Sequence, residues 1–480
     1  MLFNSIDFII FFPIVLVLYF ATPYKWRWIL LLAASYYFYM SWKAEYLILI
    51  LVSTGIDYFA ALRMKSVSTK AKKKKYLILS IFTNLGILFG FKYFNFFSNS
   101  FRDILSQFNI FYDTPAFDVL LPVGISFYTF QTLSYSIDVY RGVKEPEKHL
   151  GKFALYVAFF PQLVAGPIER STRLMPQLNL LNYKFEYDRV VDGLRLMLWG
   201  FFKKIVIADR LANYVNLVYN NPDDYFGLQI LIATIFFAFQ IFCDFSGYSD
   251  IAIGTAKVLG IDLMENFNKP YFAKSISEFW KRWHISLSTW FKDYLYISLG
   301  GNRVVKWRWY YNLFITFLVS GLWHGANWTF VIWGALHGFY LIFSIVTNSQ
   351  RNKIISLLKL NQNRFVLKLI QVFTVFVLVD FSWIFFRANN LGDAFTIIGN
   401  LFVIDLDNLL NNSISFSSLA VNFGVIAIME IFHLLQRGTK FSTYISARPT
   451  YIRWSVYFFI TIFILYLGGQ GGKEFIYFQF

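Results

Sequence analysis

The sequence predicts an all-α protein, a polytopic transmembrane helical bundle of about 11 spans with re-entrant helices. Three observations predict it. Hydrophobic residues make up 57% of the 480 residues, charged residues 15%, and the mean hydropathy is +0.49, far from the balance of a soluble globular chain. Apolar runs of bilayer-spanning length recur along the whole sequence. No Gly/Ser-rich linker, soluble segment or internal period separates them, so residues 1–480 read as a single integral-membrane domain whose chemistry happens inside the helical bundle.

Apolar stretches run over 8–22, 28–42, 46–62, 76–97, 119–135, 151–165, 191–208, 227–246, 310–332, 333–348, 366–386, 416–435 and 452–468. The pieces near 119–135, 151–165 and 275–300 are broken by Gly, Pro or charge, as expected of re-entrant helices packed inside protein. About eleven crossings remain. The first stretch follows MLFNSID, which has no basic flank, and leads straight into a second apolar run, so a cleaved signal peptide is not expected.

The formal charge of +16 sits between the apolar runs without base-reading chemistry, which argues against a nucleic-acid partner and for a topology signal in a lipid bilayer. Lys25 and Arg27 follow the first span; Arg63, Lys65, Lys70 and Lys72 to Lys75 follow the third; the loop between holds only Lys43 with Glu45. That alternation places the N-terminus outside. The segment 98–118, with Arg102 against Asp103, Asp113 and Asp118, falls outside in the same orientation. Cys243 is the one cysteine, which excludes an intramolecular disulfide and a cysteine-only metal site.

Between 261 and 309 the chain is too polar to span and too apolar to be a tail. Ser275 and Glu278 form a capping-box pattern that starts a helix, and Trp280, His284, Leu287 and Phe291 recur at spacings of three and four, on one inward face. Lys281, Arg282 and Ser288 occupy the other face. Gly300-Gly301-Asn302 supplies a turn.

Five histidines occur in the chain. His324 lies in SGLWHGANW, inside the apolar stretch 312–332, where a polar ring costs free energy unless it is paired, hydrated or used. It either packs as a satisfied ring or serves as a base that takes a proton from a hydroxyl. Gly321, Gly325 and Ala326 leave room beside it for a substrate or another backbone. His284 carries the same two readings. His337, thirteen residues after His324, falls on another face of a continuous helix and reads as structural or supporting; His433 reads as packing and His149 as a loop residue. Neither HxxxH nor a cysteine pair accompanies them, so no metal site is expected.

FCDFSGYSDIAIG, 242–254, places Asp244, Ser246, Tyr248 and Asp250 beside an apolar span. Either they line a polar tunnel, or the carboxylates pair with Arg282, Lys281 or similar cations to brace the bundle. FFPQLVAGPIERSTRLMPQL, 159–178, reads as a broken helix entering a polar mouth, with Arg170 and Arg173 as either phosphate contacts or interface anchors. Tyr128 and Gln131 spot the stretch 121–131 with polarity. No GxSxG, phosphate loop, dinucleotide fingerprint or HExxH is present, and direct attack of a hydroxyl on a thioester with a histidine base is the simplest enzymatic reading left.

Taken together, FPQLVAGPIERSTRLMPQL, FCDFSGYSDIAIG, ISEFWKRWHISLSTWFKDYLYISLGGNR, SGLWHGANWTFVIWGALHG and the terminal GGKEFIYFQF resemble the membrane-bound O-acyltransferase (MBOAT) family, in its alginate O-acetyltransferase membrane-subunit branch. The resemblance runs nearly end to end and is densest over 121–340. It implies a central tunnel, with His324 matching the catalytic histidine and His284 the second motif histidine. It also implies acetyl-CoA or another acyl thioester as donor on the cytoplasmic side, no bound cofactor, and an exported polysaccharide or an extracytoplasmic SGNH-type acetyltransferase as acceptor, at the cell membrane. In this light His324 deprotonates the acceptor hydroxyl, His284 orients or polarises the thioester, and Trp283, Trp323 and Asn327 shape the tunnel, with Asn327 an alternative oxyanion donor. Asp244, Tyr248 and Arg170 join them as substrate or tunnel residues. D-alanyl transfer toward teichoic acid, a polysaccharide transporter or flippase coupled through Asp244 and Asp250, and an envelope scaffold are the alternatives.

Overall fold

In the computed structural model, which describes residues 1–110, 122, 124–403, 415–436, 438–468, 475 and 476, every regular element is helical. The chain divides into two compact units, residues 1–197 with 251–264, and residues 198–250 with 265–480.

The first unit holds α1 (Ile6–Ala21), α2 (Arg27–Met40), α3 (Leu47–Ser66), α4 (Lys70–Leu88), α5 (Ile125–Arg141), α6 (Leu150–Ala158) and α7 (Ser171–Leu180). Ser5 starts α1 by accepting from the Phe8 amide at 3.2 Å, as an N-cap serine does. Glycines with positive φ bracket α5, Gly124 at 76° and Gly142 at 77°; a Cβ on Gly124 would lie 2.7 Å from the Leu163 carbonyl oxygen. Residues 125–136 of α5 are buried all round, the pattern of a helix enclosed by protein. At mid-height of α3 the buried Asp57 carboxylate accepts from Ser80, from Asn84 at 2.9 and 3.0 Å, and from Ser136 at 3.3 Å.

Two helices continue from one unit into the other, α8 (Tyr187–Phe201) and α9 (Leu228–Val258). The second unit adds α10 (Ile276–Trp280), α11 (Ile285–Trp290), α12 (Lys306–His324), α13 (Trp328–Val346), α14 (Arg364–Arg387), α15 (Phe416–Leu435) and α16 (Thr450–Leu467). Helices α12 and α13 pack backbone to backbone. A Cβ on Gly321 would stand 2.2 Å from the Phe330 carbonyl oxygen, and one on Gly334 2.4 Å from that of Phe317. Small residues at such crossings let dispersion hold helices together where lipid offers no hydrophobic drive. Cys243 is buried, its Sγ 3.4 Å from the Met429 thioether sulfur.

Among the described residues seven helices are long and apolar enough to cross a membrane, at Ala44–Ser66, Lys70–Ser106, Leu228–Val258, Trp328–Val346, Arg364–Arg387, Phe416–Leu435 and Thr450–Leu467. The count of about eleven is not confirmed, and several of the stretches depart from a full-length helix. The α1 helix has 16 residues and α2 has 14, about 24 and 21 Å at 1.5 Å per residue, short of a hydrocarbon core of about 30 Å. The stretch 191–208 carries Arg195, Lys203 and Lys204. Stretch 151–165 divides at Phe159 into α6 and the turn Phe160–Leu163. Stretches 310–332 and 333–348 become α12 and α13, with the boundary moved to 325–327. Residues 111–121 and 123 of the segments read as 98–118 and 119–135 lie outside the described residues, as does most of GGKEFIYFQF.

Candidate active site

The apolar stretch 312–332 reads in sequence as one span, but the structure breaks it where its side chains are smallest. Helix α12 ends on His324, Gly325 is extended at φ −159° and ψ 150°, and Asn327 caps α13 by accepting from the Thr329 amide at 3.0 Å, the part asparagine favours. Its other amide atom donates to the Asn389 carbonyl at 3.0 Å. Asn327 is thereby engaged at both ends of its side chain in the junction. His324 stands at that junction instead of in mid-helix, and it is buried.

The helix expected to run from Ser275 through Phe291 is also interrupted. Its start is as read, with Ser275 Oγ accepting from the Glu278 amide at 3.1 Å. Glu278 then reaches back to the Lys274 amide at 2.9 Å and to Arg282 at 2.7 Å. After Trp280 the backbone is claimed by the preceding segment: the Asn268 amide donates to the Arg282 carbonyl at 2.9 Å, and the Ile285 amide donates to the Asn266 carbonyl at 2.9 Å. These bonds replace helical ones and turn His284 into a left-handed conformation, φ 43° and ψ 55°. A non-glycine residue holds that geometry only where its surroundings fix it, and such strain gathers at functional sites.

The two breaks bring the histidines together. The His284 and His324 rings lie 6.4 Å apart between centroids, at 62°. Around His324 stand Trp323 at 4.9 Å, Trp333 at 4.9 Å and Phe386 at 5.4 Å; around His284 stand Phe245 at 4.5 Å and Trp323 at 6.2 Å. Trp323 touches both imidazoles. Trp283, expected beside the tunnel, is fully buried against Trp383 at 5.0 Å and stacked on Phe279 at 5.5 Å, so its visible work is packing.

Asn266, Trp333 and Phe386 belong to this cage and escaped the sequence reading. Asn266 Oδ1 lies 3.1 Å from His284 Nδ1 and accepts from the Ser286 amide at 3.2 Å and the Ser286 hydroxyl at 2.9 Å; its Nδ2 donates to Ser249 Oγ at 3.3 Å. No periodicity marks an asparagine in the irregular run ENFNKP. His337 is instead absorbed into packing: Nδ1 accepts from Trp280 Nε1 at 3.3 Å, and Nε2 meets Ser382 Oγ at 3.0 Å. His433 is buried beside Glu430, and His149 caps α6.

The carboxylates of α9 do pair with cations, though with cations other than Lys281 and Arg282. Lys203 binds Asp250 at 2.7 Å and Ser246 at 3.0 Å. Lys204 bridges Asp244 and Asp209, the latter at 2.9 Å, and Asp244 also accepts from the Ile476 amide at 2.7 Å. Both lysines belong to a π-helical stretch, Phe202–Ala208, an irregularity frequent at functional sites. Tyr248 is buried with its ring 4.9 Å from Phe475.

Arg170 lies in the first unit, next to the helix start of α7. Its neighbour Glu169 is fully buried and accepts from Arg173 and from the Met264 amide. Burial pushes the Glu169 carboxyl up to about 7, opposed by Arg173. Gln131 donates to the Tyr156 carbonyl at 2.5 Å.

A buried pair of imidazoles in an aromatic cage can accept and return a proton in a site where water competes little. Comparison with known proteins gives the family. Residues 148–386 match the membrane-bound O-acyltransferase family. The chain is 40% identical to the probable alginate O-acetylase of Azotobacter vinelandii, over 90% of this chain and 85% of that protein. To the probable alginate O-acetylase of Pseudomonas aeruginosa it is 41% identical, over 84% and 75%. To the peptidoglycan O-acetyltransferase of Helicobacter pylori it is 35% identical, over 77% and 72%.

Proposed function

Because the chain belongs to the membrane-bound O-acyltransferase family, we propose that it moves an acetyl group from acetyl-CoA across the membrane for O-acetylation of an exported cell-surface polysaccharide. The observation that carries this reading is the meeting of His284 and His324, forty positions apart in sequence, with ring centroids 6.4 Å apart inside one buried cage. The relatives named for alginate and for peptidoglycan O-acetylation support a sugar-polymer hydroxyl as the final acceptor.

An imidazole of the pair takes the hydroxyl proton as the oxygen attacks the thioester carbon. The carbon–sulfur bond then breaks, and the proton passes to the departing thiolate, which leaves as the free thiol. The aromatic walls exclude water that would hydrolyse the thioester. In this reading residues 1–480 work as one integral-membrane domain of the cell membrane with the N-terminus outside and the donor entering from the cytoplasmic face. The ester then forms on the polysaccharide or on an extracytoplasmic SGNH-type acetyltransferase.

Ester-linked acetate on surface polysaccharide, measured in a deletion strain complemented with wild-type protein or with His324→Ala at equal membrane level, tests the proposal. We expect ester from wild type and none from the variant. Equal restoration would overturn the role of the pair, and a D-alanyl ester in place of acetate would move the reading to teichoic acid.

A further inference from the structure

We infer that Asn266 is a positioning residue that holds His284 protonated at Nδ1, so that His284 enters the reaction through Nε2 as a proton acceptor and not as a donor polarising the thioester. This inference rests on the acyl-transfer reading for its kinetic part only.

The orientation of the Asn266 amide is fixed by a group that can only donate. The backbone N–H of Ser286 points at Asn266 Oδ1 at 3.2 Å, so that atom is the carbonyl oxygen and the amide is not flipped. A carbonyl oxygen accepts only. The ring nitrogen 3.1 Å from it, His284 Nδ1, must therefore carry the hydrogen, and in a neutral imidazole the lone pair then resides on Nε2. The Ser286 hydroxyl at 2.9 Å and the Nδ2 bond to Ser249 hold the amide from two further directions. Asn266, Ser286 and Ser249 are all buried.

Backbone geometry enforces the same arrangement. The Asn266 carbonyl accepts the Ile285 amide and the Asn268 amide donates to the Arg282 carbonyl, so the segment carrying Asn266 is what turns His284 into its left-handed conformation. One residue thus sets both the position of the ring and its tautomer. An acceptor behind one ring nitrogen, with the other nitrogen directed to the reacting hydroxyl, is the arrangement of an oriented general base. In this reading the acceptor hydroxyl reaches His284 Nε2 beside the His324 ring, 6.4 Å away between centroids. Its proton goes to His284 Nε2 as the carbon–oxygen bond forms, and passes to sulfur as the carbon–sulfur bond breaks.

Among the described residues, the charged and titratable groups around His284 leave this assignment in place. Helix α12 presents His324. Helix α9 presents Phe245 to the ring, while its Asp244 and Asp250 are bound by Lys204 and Lys203. Glu265, beside Asn266, interacts electrostatically with Lys440, Asp250, Lys269 and Lys203.

With five histidines in the chain, nitrogen-15 NMR of histidine-labelled protein in bilayers reads the tautomer without any assay of activity. We expect His284 with hydrogen on Nδ1 in wild type and a mixture of tautomers in Asn266→Leu. Hydrogen on Nε2 in wild type would overturn the inference even if the protein proves an active transferase, and the expected tautomer in an inactive protein would leave it standing while the transferase reading fails. In kinetics, Asn266→Leu should lower kcat about 100-fold with KM for acetyl-CoA unchanged. Asn266→Asp keeps the acceptor, so it should retain activity and shift the acidic limb of the pH–rate profile to higher pH, since an anionic partner favours the imidazolium. An unmoved limb would overturn the inference, and this second variant answers the question if Asn266→Leu fails to fold. His284→Gln retains an amide donor near the Nε2 position, and full activity there would show that donation is all the site needs.

Discussion

His284 and His337 are both fully buried, yet their neighbours assign them opposite forms. Asn266 can only accept from His284 Nδ1, whereas the Trp280 indole can only donate to His337 Nδ1, which leaves His337 Nε2–H to bond Ser382 Oγ, itself donating to the Val379 carbonyl at 2.7 Å. His337 is therefore satisfied on both sides and structural. Ser382→Ala should cost about 1–3 kcal/mol by stranding a buried N–H, seen as a lower melting temperature, with kcat near wild type; a large fall in kcat at unchanged stability would show that His337 takes part in chemistry. His284 and His324 each stood out in sequence as an imidazole on an apolar face or in an apolar run, while their meeting 6.4 Å apart is a finding of the fold. Asn266 did not stand out, since its meaning depends on a hydrogen bond to a residue eighteen positions away that no periodicity announces.

At the scale of elements, the helical periodicity through Trp280, His284, Leu287 and Phe291 was genuine but was overridden at His284, because backbone bonds from 266–268 outcompeted the next helical turn. Likewise the run 312–332 gave its hydrophobicity correctly and hid its break, which small residues and an asparagine cap produce locally. The α12–α13 crossing fixes where that break falls. Gly321→Ala must push the helices apart, since its Cβ would meet a backbone oxygen at 2.2 Å. Overpacking of this kind costs about 1–3 kcal/mol, and we expect reduced melting temperature together with reduced acetyl transfer, because His324 ends the same helix. Wild-type activity and stability in this variant would contradict so tight a crossing.

The loop before α7 gives a pH test. The Glu169 carboxyl is raised in the folded protein, by burial, from about 4.5 to about 7, so its contribution to stability is fully present below about 4.5 and is lost as pH rises through about 7. Against wild type, Glu169→Gln should lose that dependence, flattening the stability profile between these values; identical profiles for the two proteins would show that Glu169 keeps its ordinary affinity for protons.

Across the whole molecule, the class of fold was readable because composition leaves a chain this apolar few alternatives, while the number of crossings was not, because length alone does not separate a span from a short helix enclosed by protein, as α5 shows. The carboxylates of α9 were recognised as needing partners, but their cations come from Lys203 and Lys204, about forty positions upstream, which sequence spacing does not connect. Lys204 holds Asp209, α9 and, through Asp244, the Ile476 backbone in one network. Lys204→Met strands two buried carboxylates and should cost about 3–5 kcal/mol, measured as thermal stability in detergent; a change within error would mean that the network is wet and weak.

Cys243 is wholly enclosed, with Met429 against its sulfur, and no other cysteine exists in the chain. The native protein is thus already a nearly silent background for thiol-reactive, membrane-impermeant reagents. With the N-terminus outside, as proposed, Lys73→Cys should label only in inverted vesicles and Ser41→Cys only in intact cells, the reverse pattern inverting the proposed orientation, so the handedness of the entire bundle in its bilayer can be charted without first removing a residue from it.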